Sequence, residues 1–500
     1  MDQRSARRLL GAALVIGLCA QALLFRTALG VNVALLVASL LAAALLLKRG
    51  AARVDVLDLW IAPAALIFAG FISVRADPVL VGVDALLGVG LGLAAVMAIG
   101  GARLTRRSAL GLVAVAARTS ALLGAGAAEP VSAARPASGA ETVRRGVARS
   151  APVLRGLALA FPAVIVFAGL FAAADAVFSR AVSDVLSLDV EFGDLPARLL
   201  LAALIAWPVA GVMVSAVRDV FPFGDPVASL RGGLASTSAG IGRLGLTEAI
   251  VVLALVDALF AVFVGLQVAY LFGGRDTLAA TGLTYADYAR RGFFELVAVA
   301  VLAGGLIAGL ELVVSRRSRT YVAAAVTLAC LTLVVLASAA LRLKLYQDAY
   351  GWTELRFYVY AAITWLGVGA IATIALLVAG RTRWLAHVLG ILAFVVLLGA
   401  NVIGPEGFIA RQNLARVVDP SLVAPGGQPG IDAAYFVSLG DDAVPVMIEA
   451  LPVLGADDRL LVDNEVRARA AALGQPDVTA WPAWNLARER ARQAIASVGR

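Results

Sequence analysis

Val322-Ala-Ala-Ala-Val-Thr-Leu-Ala-Cys330-Leu-Thr-Leu-Val-Val-Leu-Ala-Ser-Ala-Ala-Leu341 runs for 20 residues without a charge. As a helix rising about 1.5 Å per residue, it covers roughly 30 Å, the thickness of a bilayer's hydrocarbon core. Similar runs recur at 9–25, 28–47, 57–74, 79–99, 156–175, 199–217, 247–272, 293–315, 358–380 and 386–403. The pattern predicts an all-α polytopic transmembrane helix bundle of about 11 spans. A small C-terminal extramembrane helical domain follows it.

Composition agrees. Of the 500 residues, 61% are hydrophobic and 15% charged, and the mean hydropathy is +0.90. Soluble chains are roughly 45–50% apolar and about 25% charged. One aqueous core could not hide this much apolar surface, so lipid must be part of the solvent. Backbone amides in lipid need internal partners, and runs of this length suit helices rather than the short strands of a barrel. The net charge is +8. No nucleic-acid motif accompanies it, so no nucleic-acid partner is expected, and the charge is read as membrane topology. Cys19 and Cys330 fall inside apolar runs and are expected as small core-filling side chains. The stretch 4–21 imitates a signal peptide. A second apolar run follows at once, so it is read as a retained first helix.

Lys and Arg collect on the cytoplasmic side of spanning helices. With the N-terminus inside, inner segments hold 23 of the 42 basic residues, nine of them between Arg103 and Arg155. The expected organisation has four parts. They are a four-span region at 1–99, a basic cytoplasmic linker at 100–155 with an interfacial helix near 108–124, a core of about seven spans at 156–403, and an extracytoplasmic helical tail at 404–500. The tail carries nine Arg against 12 acidic residues. Helices are expected in it at 435–454, with Pro445 near a first turn, at 463–473 and at 484–498.

Several motifs lie at the ends of the later spans. They include Phe171-Ala-Ala-Ala-Asp175-Ala-Val-Phe178, Gln267-Val-Ala-Tyr270-Leu-Phe-Gly-Gly274 and Thr284-Tyr285-Ala-Asp287-Tyr288-Ala-Arg290-Arg291-Gly292-Phe293-Phe294-Glu295. Arg342-Leu-Lys-Leu-Tyr346-Gln-Asp-Ala-Tyr350-Gly351-Trp-Thr353-Glu-Leu-Arg356 is another. The tail adds Phe408-Ile-Ala-Arg411-Gln-Asn413-Leu-Ala-Arg416, Gly440-Asp-Asp-Ala-Val-Pro445 and Trp484-Asn485-Leu486. Over roughly residues 155–500 this set resembles the uncharacterised bacterial membrane-protein family catalogued as domain of unknown function 4173, related to family 4153. The resemblance implies membership and brings no activity, cofactor or catalytic residue with it. The first four helices are generic.

The catalytic inventory is thin. His387 is the one histidine, and it is read as interfacial. No metal site, Ser-His-Asp triad, phosphate loop or dinucleotide fingerprint is written in the chain, and no cofactor is expected. Ionisable groups inside spans are functional suspects. Asp257 lies near mid-depth of its run, with Gln267 further along it and Asp84 a turn inside the fourth. Glu248 and Glu311 sit near helix ends and are expected to be solvated. Gly88-x-x-x-Gly92 and Gly305-x-x-x-Gly309 are read as helix packing.

The most informative group is Asp175, Arg290, Arg291, Glu295, Arg342, Lys344, Tyr346 and Arg356, at the outer ends of spans. Its five basic residues run against the positive-inside bias, so something offsets them. One candidate is an anionic lipid or envelope component gripped by arginine. The other, favoured here, is internal: Glu295, Asp348, Glu354 and the acidic tail neutralise the cluster and dock the tail. Three functions follow in order of preference. The first is a non-enzymatic scaffold or partner-binding subunit acting through residues 404–500. The second is a secondary transporter or flippase-like permease using Asp257. The third is an outer-face enzyme on lipid-linked substrates using Asp175 or Glu295.

Overall fold

The computed structural model describes residues 2–48, 54–107, 109–134, 194–217, 246–272, 293–314, 317–424, 427–428 and 430–498. Among them there is no strand, and the fold is an all-α polytopic bundle. Among the described residues seven helices are long and apolar enough to cross a membrane, and shorter apolar helices accompany them. Leu46, Leu86, Leu200, Leu255, Leu259 and Val378 are exposed on them, and Leu302 on the helix Phe293–Val313. Water would not tolerate so many large apolar side chains on helix surfaces; lipid does. The expected span at 156–175, with Asp175, Arg290 and Arg291, lies outside the described residues.

The chain forms two compact units, 1–74 with 79–230 and 473–486, and 75–78 with 231–472 and 487–500. The first contains α1 (Gln3–Leu24), α2 (Val31–Leu47), α3 (Ile61–Phe71), α4 (Pro78–Ile99, from Val79), α5 (Ala109–Ala125), α6 (Ala128–Ala134) and α7 (Leu195–Val217). Its core is Leu9, Ile16, Leu41, Val96 and Met213. Small residues let the backbones approach. A Cβ on Gly17 of α1 would meet the Ala202 carbonyl of α7 at 2.3 Å, and one on Gly88 of α4 would meet Ala69 of α3 at 3.0 Å. By contrast, a Cβ on Gly305 or Gly309 meets no described atom within 4 Å, so this second small-residue pair does not mark a close helix contact.

Helix α3 has 11 residues, shorter than its apolar run. Asp58 at the head of that run is buried and accepts from the Leu104 and Thr105 amides at 2.8 Å each, which holds 56–58 as a separate turn. Over the segment expected at 108–124, α5 runs from Ala109 to Ala125 and packs against α7: a Cβ on Gly211 would strike the Leu122 carbonyl. Residues 473–486 of the tail are tied into this unit. Val31 donates to the Trp484 carbonyl, Leu486 to the Ser73 carbonyl at 2.7 Å, and Asn485 Nδ2 to the Ile72 carbonyl at 2.8 Å.

The second unit contains α8 (Leu246–Phe272), α9 (Phe293–Val313), α10 (Arg319–Tyr350), α11 (Glu354–Val378), α12 (Leu385–Ile403) and α13 (Pro405–Val418). Short helices α14 (Ala433–Ser438) and α15 (Val444–Ala450) follow, then α16 (Ala456–Leu473, to Ala472) and α17 (Leu486–Val498, from Ala487). Leu253, Ile307, Leu328, Ala329 and Leu377 form one part of its core. Leu296, Leu336, Leu343, Val359 and Ile363 form another. The helix expected at 435–454 is broken into α14, a turn at 441–443 and α15, with Pro445 in the first turn of α15; the one expected at 463–473 lies within the longer α16, α17 covers most of 484–498, and α13 was not expected.

Two expectations are corrected. Cys19 and Cys330 are exposed rather than core, because lipid solvates a thiol that water would drive inside. Glu311 is mostly buried and paired with Arg317, not solvated; Arg317 also bonds the Thr382 hydroxyl.

Candidate functional site

The site is built on the corner between α10 and α11. Helix α10 ends because Gly351 takes φ +80°, the left-handed region that glycine adopts without strain. A Cβ there would also meet Asn413 Oδ1 at 2.7 Å. Helix α11 begins at Thr353, whose hydroxyl accepts from the Arg356 amide.

A helix end leaves carbonyls unsatisfied. Here Arg416 of α13 takes them. Its Nη1 donates to Gln347 and Asp348 at 3.1 and 2.8 Å, and its Nη2 donates to Ala349 at 3.0 Å. A buried cation at a helix C-terminus also complements the macrodipole. Asn413, one turn earlier, exchanges two hydrogen bonds with the Trp352 backbone. Tyr435 of α14 accepts from the Glu354 amide at 2.8 Å. Burial pushes the Tyr435 phenol up to about 12, so it stays a neutral hydroxyl.

These contacts frame a cavity of about 580 Å³ lined by Tyr350, Thr353, Arg356, Asn413, Gln428 and Tyr435, among others. Arg356 is 8% exposed. It packs 4.1 Å from the Tyr346 ring centroid and donates Nη1 to the Gly351 carbonyl. Among the described residues it forms no ion pair, and its Nε and Nη2 make no hydrogen bond. A guanidinium cannot shed its proton, so this wall of the cavity is positive.

A second cluster lies on the N-terminal side of α11. Asp77, Glu354 and Glu406 bring carboxylate oxygens within 4.8 Å of one another. Asp77 and Glu406 are buried, at 0% and 2% exposed. Tyr358 donates to Asp77 at 2.8 Å. Burial, followed by the charge of Asp77, pushes the Glu406 carboxyl up to about 8; the Gly440 amide acts the other way. Beside them Arg75 pairs with Asp442 at 3.3 Å and donates to the Asn401 and Val402 carbonyls. Burial raises Asp442, and the Ala76 amide and Arg75 counter it. Gly404 adopts φ +69°, and a Cβ there would strike Arg75, so glycine is required where the Arg75 guanidinium passes.

The predicted site residues are therefore divided. Arg356 and Tyr346 meet at the cavity corner. Lys344 is exposed and paired with Asp348 at 2.5 Å within α10. Arg342 is half-buried on the same helix, and Glu295 is exposed on α9. Asp84 is fully buried in α4. Asp257 is half-buried on α8, and among the described residues its Oδ1 is enclosed without a hydrogen bond. Gln267 lies on the same helix. Sequence reasoning missed Arg75, Asp77, Glu406 and Asp442. The available signals were the charged Arg75-Ala-Asp77-Pro78 connection between two apolar runs and the Gly440-Asp-Asp motif that carries Asp442.

A family profile described as Domain of unknown function (DUF4153) matches residues 61–450. The chain belongs to this family. The match begins at α3, so it takes in two helices that read as generic in sequence, and it stops before α16. The related family 4173, named from the motifs, is not the one matched. No curated protein and no solved structure matches the chain.

Proposed function

We propose that this membrane protein is a non-enzymatic scaffold that holds an anionic component of the cell envelope in the cavity at the α10–α11 corner. The observation that carries the reading is Arg356: a buried, positively charged group with no carboxylate partner among the described residues, opening onto a polar cavity. Burying an unpaired charge is costly, and a bound phosphate or carboxylate offsets it. Arginine's fork suits either group bidentately. The exposed Tyr350 and the neighbouring Trp352 are side chains that favour headgroup depth. The ligand chemistry is therefore an oxyanion, from a lipid headgroup or a soluble precursor. The excess of basic residues in alternate loops supports a cytoplasmic N-terminus and linker, with residues 404–500 outside a bacterial cell membrane. The motif set also supports kinship with family 4173.

Purification with native lipids, followed by mass spectrometry, tests the reading. Wild type should retain a phosphate- or carboxylate-bearing molecule that Arg356→Met loses. Retention of a phospholipid identifies the headgroup source; retention of a water-soluble anion identifies the precursor. Identical, purely zwitterionic profiles for both proteins contradict the proposal.

A permease is the second reading, supported by Asp257, whose enclosed and unbonded oxygen on a long apolar helix is what an ion-coupling group requires. Under the scaffold reading, Asp257→Asn leaves function intact in a deletion-complementation assay. Loss of function with normal membrane abundance favours the permease.

A further inference from the structure

The carboxylates of Asp77, Glu354 and Glu406 meet in a buried place and come from three separate stretches of the chain, the connection before α4, the first turn of α11 and the first turn of α13. Surface acids often gather without consequence. These are different because Glu406 is 2% exposed and its Oε2 has no hydrogen-bond partner among the described residues. Arg75 is committed to Asp442 and to two backbone carbonyls, Tyr358 to Asp77, and Tyr435 to the Glu354 amide. Arg75 is paired with Asp442, and among the described residues no cation pairs with Glu406. An enclosed carboxylate oxygen without a partner is unfavourable unless a cation or proton meets it.

We infer that Asp77, Glu354 and Glu406 form a binding site for one hard divalent cation of about the size of Ca²⁺. The donor set is oxygen alone, with no His or Cys, which selects hard ions over zinc or copper. Two ligands on one ion can be no further apart than twice the bond length. That limit is about 4.6–5.2 Å for Ca²⁺ and about 4.2 Å for Mg²⁺. The three carboxylates all lie within 4.8 Å of one another, inside the reach of an ion the size of Ca²⁺. Tyr358 acts from outside the ligand set, orienting Asp77 through its hydroxyl. The ion would fasten the segment at 75–78, α11 and α13 together. This inference rests on different residues from the anion proposal and survives its failure.

The test uses full-length protein in lipid nanodiscs, stripped with a chelator and titrated with Ca²⁺ by calorimetry while thermal unfolding is followed in parallel. Wild type should bind one Ca²⁺ per chain and unfold at a higher temperature when loaded. Glu406→Gln should lower Ca²⁺ affinity at least tenfold, while Asp457→Asn, on an exposed acid of α16, leaves it unchanged. Should Glu406→Gln fail to fold, Glu354→Gln is held to the same tenfold loss. Folded wild type that shows no saturable Ca²⁺ binding overturns the inference, as does a folded Glu406→Gln that binds like wild type. Stability that rises on acidification but ignores Ca²⁺ also overturns it, since the third partner would then be a proton.

Discussion

The carboxamide of Asn413 pairs both ways with the backbone of Trp352: Oδ1 accepts from the Trp352 amide at 2.8 Å, and Nδ2 donates to the Trp352 carbonyl at 2.9 Å. The turn between α10 and α11 is thereby closed by a side chain of α13. Truncation to alanine removes both bonds and leaves two backbone groups to find other partners. Asn413→Ala should lower stability by about 2 kcal/mol, measured by denaturant titration in detergent. A change within a few tenths of a kcal/mol would show that water replaces the side chain without loss.

Asn485 does related work in the first unit. It is 1% exposed and donates to the Ile72 carbonyl, next to the Leu486–Ser73 backbone bond. Asn485→Ala should loosen the 473–486 segment before the apolar core melts. Limited proteolysis checks this: cleavage near 475–486 should accelerate several-fold while the thermal transition moves by only a few degrees. Equal cleavage rates would mean that the backbone bonds suffice.

Asp55 offers a pH test. Its hydrogen bond from Arg106, followed by that from the Leu57 amide, holds the carboxyl below its ordinary value. A depressed carboxyl stabilises the fold above its unfolded pKa, about 3.9. That stabilisation is lost as pH falls through the lower folded value. Wild type should therefore lose thermal stability relative to Asp55→Asn on moving from pH 6 to pH 3. Parallel curves for the two proteins would exclude a contribution from this pair.

Topology has its own test. Ser438 is exposed at the end of α14. With the tail outside, a thiol introduced by Ser438→Cys reacts with an impermeant reagent in intact cells, and one introduced by Ser138→Cys reacts only after lysis. The reverse pattern inverts the orientation.

Much of the fold was legible because bilayer thickness imposes a length on apolar runs, and lipid removes the need to guess a core. The corner was partly legible too. Gly351 reads as a helix stop, and Asn413 and Arg416 stood in a recognisable motif, although their partners are backbone groups of residues 347–352 that carry no sequence signature. The internal neutralisation expected for the basic cluster holds for Lys344 with Asp348. It fails to describe Glu354, which turns toward Asp77 and Glu406 instead. That grouping joins residues far apart in the chain, and no local periodicity encodes it. Arg356 was singled out for its charge against the positive-inside bias; that no described carboxylate pairs with it emerges only when its neighbours are in place.

Arg356 therefore carries the central claim, and titration of purified protein in neutral-lipid nanodiscs with short-chain phosphatidylglycerol, and separately with inorganic phosphate, tests it most directly. Wild type should bind at least one of these saturably, and Arg356→Met should weaken that binding at least tenfold, about 1.4 kcal/mol, while Lys344→Met changes it little. Binding of equal strength in wild type and Arg356→Met, or saturable binding of neither probe by wild type, would contradict the account.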